Sequence, residues 1–354
     1  MKNSLTHVPY LDGWRGLAIC AVYFGHFVSK ASYWWIGSFG VQLFFVLSGF
    51  LMCNILFFKN TALPDFFARR LIRVAPTFII FVLAMAFYSS TAQPTRFMPS
   101  TTELISTLLF LRSYLPADSS ILNDNWPIAH LWSLNVEEHT YMFLALVAVI
   151  ARQVKKPWAT AAFLMAAASC SMYYSINYIS IQPSGATPGP MRSEAAALGI
   201  LAAVLLSYIK SSAPAGVLSR VHPILPVVSL IIAFICFTES LRWRGLNTTV
   251  APLCLAFTIN YLDHFPAACL RVLSTKSLRW IGRVSFSLYI WQQPFHFAVC
   301  HYEMNAWLGI SLSLVIGVIS FYGFENPVRL HLLRAWERRG KTVRIFEEKN
   351  TKAL

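Results

Sequence analysis

The chain has 354 residues, 56% hydrophobic and only 12% charged, with a mean hydropathy of +0.54 and a formal net charge of +14. A soluble domain carries about a quarter charged residues, so the composition excludes an ordinary soluble fold. The apolar residues run in blocks of roughly 18 to 22, each long enough to cross a bilayer core of about 30 Å as a helix. They predict an all-α, polytopic membrane bundle of about ten transmembrane helices.

The amino terminus, Met1 to Pro9, is short and polar, and no small-residue cleavage site follows the first apolar stretch. This predicts an uncleaved first span rather than a signal peptide. Hydropathy places spans at Arg15–Ser29, Gly37–Phe58 and Leu71–Ser89, then a re-entrant or interfacial helix at Thr102–Leu115. Further spans follow at Leu131–Ala151, Trp158–Ile179, Ser193–Ile209, Ile224–Glu239, Val250–Asp263, Val284–His301 and Ala306–Phe324. Two units are expected: a membrane domain over 1–327 and a basic cytoplasmic tail over 328–354.

Loop charge provides an independent check on this count. With strict alternation, all of the 29 Lys and Arg except Lys30, Arg96, Arg112, Arg192, Arg242 and Arg244 fall on one side. Positive charge concentrates on the cytoplasmic side of membrane proteins, so both termini are expected there. The net charge then reads as topology signal and attraction to anionic lipid, and nucleic-acid binding is not expected. The seven cysteines form no C-x-x-C pair and mostly sit in apolar blocks, as small core residues do. No metal site is expected.

Ionisable groups at membrane depth are costly and therefore candidate functional residues. In the first span Arg15 and His26 are eleven residues apart, about three helical turns, so both point from one face with His26 some 16 Å deeper. Asp12 lies three residues before Arg15 and can pair with it. The fourth span opens His130-Leu-Trp-Ser-Leu-Asn-Val-Glu137-Glu138, which sets two carboxylates roughly 10 Å deep. They diverge by about 100°, so at most one faces the first span. Arg69 and Arg73 share a face at i, i+4 with Arg70 beside them, an arrangement that suits phosphate oxygens as well as it suits ordinary anchoring. Ser48 and Gly49 are small residues of the kind that let helices approach closely.

Seven blocks in order carry a resemblance. They are Tyr10-Leu-Asp-Gly-Trp-Arg15 with His26, Gly40–Phe50, Arg69-Arg70 with Arg73 and Pro76, His130–Glu138, Pro190-Met-Arg192-Ser-Glu194, Gly282–Trp291, and Phe324-Glu-Asn-Pro-Val-Arg329. The chain resembles the membrane-bound acyltransferase-3 family, whose best-known members O-acetylate bacterial surface polysaccharides. At one point it departs: many members carry a histidine after the Tyr289-Ile-Trp291 run, where this chain has Gln292-Gln293-Pro294. The extracellular hydrolase-like domain that some members append is not expected.

The resemblance implies an O-acyltransferase of the bacterial inner membrane, with acyl-CoA as co-substrate, a carbohydrate acceptor and no further cofactor. It implies His26, Arg15, Glu137 and Glu138 as the catalytic set, and Arg69, Arg70 and Arg73 as the CoA-binding set. His26 would act as base or acyl carrier, with Glu137 or Glu138 orienting its ring. Arg192 and Glu194 are acceptor-side candidates or an interfacial ion pair. Two other readings compete: a transporter, since polar residues at mid-membrane also mark ion paths, and an acyltransferase for a small cytosolic glycosylated molecule.

Overall fold

The computed structural model describes residues 8–28, 35–92, 99–122, 126–177, 187–188, 191–212, 221–238 and 245–351. The span ends expected at Ser29, Ile179 and Glu239, and the charges of Lys2, Lys30, Arg96, Arg220, Arg242, Arg244 and Lys352, lie outside the described residues, as does Pro190. Among the described residues the fold is all-helical, without a strand.

Helix α1, Pro9–Tyr23, begins on a proline, whose missing N–H costs nothing at a helix start. Its end widens into a π-type turn over Phe24–Val28. Helix α2, Trp35–Cys53, ends in a similar turn over Asn54–Phe58. Helix α3, Leu63–Ala92, is 30 residues long and contains Pro76. The short α4, Thr101–Leu108, starts on a capping box in which Ser100 and Glu103 satisfy each other's backbone N–H. Helix α5 is Trp132–Val154 and α6 is Pro157–Asn177, with Lys155 closing α5 in the left-handed region (φ 54°). Next come α7, Ser193–Ala196, and α8, Leu198–Ser212. The apolar α9, Ile224–Cys236, and α10, Val250–Asn260, are short. After α11, Ala267–Leu273, the long α12, Lys276–His301, leads to α13, Ala306–Ser320. A third π-type turn, Phe321–Glu325, runs into α14, Asn326–Thr351.

Among the described residues six stretches are long and apolar enough to cross a membrane: Trp35–Phe58, Leu63–Thr91, Ala129–Val154, Pro157–Asn177, Ser193–Ser212 and Ala306–Arg339. The other four expected spans fall short of that standard for physical reasons. Helices α9 and α10 have 13 and 11 residues, about 20 and 17 Å at 1.5 Å per residue. The first span carries Asp12, Arg15 and His26, and the stretch of α12 beyond its arginines is interrupted by Gln292, Gln293, His296 and His301.

Helix α1 is central. It packs along α2 and α12, while α2 packs on α8 and α12 on α13. The packing of α1 on α12 and α11 depends on glycine, because a methyl at Gly282 of α12 would overlap the Asp12 carbonyl and one at Gly13 the carbonyl of Leu273 in α11. Large apolar side chains face outward, including Phe87 on α3, Trp158 on α6 and Trp307 and Ile319 on α13. Such a surface is stable only against lipid, and Trp at helix ends is typical of the membrane interface. The protein is an integral membrane protein. The segment expected as a basic tail begins as a helix docked on α3: Trp336 Nε1 donates to Asp65 Oδ1 at 2.9 Å, and Arg69 meets Glu337 at 3.5 Å.

Candidate active site

Two cavities lie along α1 and α2. The first, about 110 Å³, is lined by Arg15, Ser48, Arg70, Arg73, Glu137, Tyr141 and others. Three Arg against one Glu make its lining cationic. Arg15 reaches Asp12 at 3.4 Å, the pairing the spacing predicted. Arg70 spans both carboxylates of α5: its Nε donates to Glu138 Oε1 and its Nη2 to Glu137 Oε2, each at 2.8 Å. The guanidinium lies 4.4 Å from the centre of the Tyr141 ring. Ser48 completes the group by donating to Glu137 Oε1 at 2.7 Å, a polar role beyond packing.

The Arg cluster is therefore split. Arg69 is exposed, pairs with Glu337 and does not line this cavity. Arg70 is committed to the two glutamates. Arg73 lines the cavity beside Arg15 and remains the guanidinium best placed for an incoming anion.

The second cavity, about 570 Å³, holds His26 with Gly37, His130, Met191, Tyr289 and His296 among its lining. His26 sits in the π-type turn that ends α1, a feature frequent at functional sites. Its Nδ1 is 2.8 Å from Gln292 Oε1, and its ring stacks on His296 with centroids 4.6 Å apart and planes 16° apart. The expectation that Glu137 or Glu138 orients His26 does not hold. Both carboxylates are taken up by Arg70 in the first cavity, and the ring's partner comes from α12. Arg15 and His26, expected along one path, line two different cavities that meet at Val41 and Tyr289, in keeping with their separation of about three helical turns along α1.

Val41 and Tyr289 line both cavities. The Tyr289 hydroxyl donates to the His130 carbonyl at 2.8 Å and meets Ser133 Oγ at 2.6 Å, which holds the ring in the wall between them. Arg192 and Glu194 both engage Tyr114: the guanidinium stands 5.5 Å from the ring centre, and the carboxylate accepts from the hydroxyl at 2.5 Å. Ser193, between them, meets His139 Nδ1 at 2.7 Å. Met191, not these residues, reaches the His26 chamber. Among the described residues no three His, Cys, Asp or Glu converge on a metal-sized site.

The profile of the acyltransferase-3 family, described as an acyltransferase domain, matches residues 8–324. The chain belongs to this family. The acyltransferase is 27% identical to the peptidoglycan O-acetyltransferase OatA of Listeria monocytogenes over 93% of this chain and 57% of the relative. It is 25% identical to a putative O-acetyltransferase of Staphylococcus aureus strain COL over 97% of this chain and 61% of that one. For the O-acetyltransferase OatA of S. aureus strain NCTC 8325 the identity is 23%, over 92% and 58%. The chain thus spans about three fifths of the length of these relatives. No solved structure matches it.

The neighbours of His26 that sequence reading missed are Gln292, at hydrogen-bond distance from its ring, and His296, stacked on it. A signal for His296 was present, since it too is an ionisable residue inside an expected span.

Proposed function

We propose that the acyltransferase moves an acetyl group from cytosolic acetyl-CoA to a hydroxyl of a cell-surface carbohydrate in the bacterial inner membrane. The observation that carries this reading is the pair of cavities separated by Val41 and Tyr289, one cationic and narrow, the other larger and holding His26. The names of the relatives support O-acetylation. In this reading the basic end of the bundle, with both termini and residues 328–354, faces the cytosol, and the His26 chamber opens to the opposite side.

Arg73 and Arg15 receive the phosphates and pantetheine arm of the donor, since Arg forks suit phosphate oxygens. Arg70, Glu137, Glu138 and Ser48 hold the walls of that entry. The thioester meets the acceptor at the Val41–Tyr289 wall. His26 Nε2 takes the proton of the acceptor hydroxyl as its oxygen attacks the thioester carbonyl. The tetrahedral centre collapses, the C–S bond breaks, and CoA leaves as thiolate that takes the proton back from His26.

The test is mass spectrometry of surface glycans from deletion cells carrying wild type or His26→Gln. Acetyl esters restored by wild type and absent with a normally inserted His26→Gln protein are expected. Glycans identical in deletion and wild-type cells would overturn the acceptor assignment.

A further inference from the structure

The contact between His26 and Gln292 fixes more than a distance. Gln292 is fully buried (0% exposed), so its amide is not averaged by water. Its Nε2 donates to Gln293 Oε1 at 3.3 Å, which turns its oxygen toward the imidazole. An amide oxygen only accepts, so the hydrogen of this 2.8 Å bond belongs to His26 Nδ1. A neutral imidazole has one hydrogen, and Nε2 is then left with the free lone pair.

The other edge of the ring is open for a reason. Gly37 faces it, and a methyl there would stand 3.3 Å from Cδ2 and 3.5 Å from Nε2. Gly37 and His26 line the same chamber. Gln292 and His296 lie at i, i+4 on one face of α12, so one holds the edge of the His26 ring and the other its face. Stacking fixes the plane of a ring but does not choose between its nitrogens; only the Gln292 oxygen does that.

We propose that Gln292 is the positioning residue of this acyltransferase: it locks His26 in the Nδ1–H tautomer and presents Nε2 to the acceptor chamber. A third group that orients the base recurs wherever His takes a proton from a nucleophile, and the wrong tautomer there is costly. Here the orienting group is neutral, so it aligns the ring without adding charge to a site inside the membrane. The inference rests on the reading of His26 as proton acceptor given above.

The experiment uses the full chain in native membrane vesicles that carry the acceptor of the host, with CoA release from acetyl-CoA as the readout. Gln292→Met keeps length and removes the acceptor atom; Gln292→Leu does the same with a different shape, should the first fail to insert. Gln292→Glu keeps an oxygen at the same reach. Expected are a fall in kcat of about a hundredfold for Met or Leu, an unchanged KM for acetyl-CoA, and at least a tenfold recovery for Glu relative to Met. A merely structural Gln292 gives the opposite order, with Met near wild type and the buried charge of Glu harmful, and that result overturns the proposal. His26→Gln run in parallel separates the two failures. If it turns over normally, the reading of His26 falls and the positioning role with it. If it is inactive while Gln292→Met is fully active, the positioning role alone falls.

Discussion

Val41 and Tyr289 are the pair of side chains that face both the Arg15 cavity and the His26 chamber. In the proposed reaction the acyl group passes this wall. Val41→Phe thickens it and leaves the Arg residues in place. The expected result is a loss of about ten- to a hundredfold in kcat, as for other small misplacements of reacting groups, with CoA affinity unchanged by calorimetry. Equal losses in both would place Val41 in donor binding instead.

The split Arg cluster gives three different outcomes from three similar substitutions. Arg73→Ala should raise the KM for acetyl-CoA about tenfold or more, since a charge-assisted hydrogen bond is worth about 1.5–3 kcal/mol. Arg70→Ala should instead cost folding stability, because it leaves the half-buried Glu137 and Glu138 without their counter-charge. Arg69→Ala, at an exposed pair, should change neither. Kinetics together with thermal stability of the purified variants distinguish all three.

Gly282→Ala should separate α12 from α1. The added methyl meets the Asp12 carbonyl, which is helix backbone and cannot move alone. A loss of about 1–3 kcal/mol is expected, as for other overpacked cores, read as a lower melting temperature in detergent. Gly323→Ala is the control, since nothing lies within 4 Å of its added carbon.

Outside the spanning helices, acid should loosen the segment after α4. Burial pushes the Glu103 carboxyl up, but the Ser100 N–H, the Ser119 hydroxyl and Arg112 outweigh it and hold it below its ordinary value. A depressed folded pKa contributes stability that is fully present above the ordinary glutamate value of about 4.3. That contribution is lost as pH falls from there through the lower folded value. Hydrogen-exchange protection factors over 101–122, corrected for the intrinsic pH dependence of exchange, should therefore fall with acid in wild type. The fall should be much weaker in Glu103→Gln, which is already loosened at neutral pH.

The orientation is open to cysteine labelling. Ala117→Cys, on the exposed turn after Arg112, should react with an impermeant reagent on intact cells, and Lys155→Cys, at the end of α5, should not. The reverse pattern would invert the proposed donor entry.

The sequence by itself determined the membrane class, the helical architecture, the family and the Asp12–Arg15 pair. Each of these depends on composition, on local period or on the order of motifs along the chain. Other features were decided only by the tertiary structure. The 100° rule assigned Arg15 and His26 to one path, but Val41 from α2 and Tyr289 from α12 divide that path into two cavities. The i, i+4 spacing joined Arg69 to Arg73, but Glu337 from α14 takes the first and the cavity the second. Glu137 or Glu138 was expected to orient His26, yet Arg70 takes both and Gln292, 266 residues from His26, completes the imidazole. Partners this far apart are chosen by helix packing, where glycines such as Gly282 allow backbones to touch, and no local pattern in the chain encodes that choice.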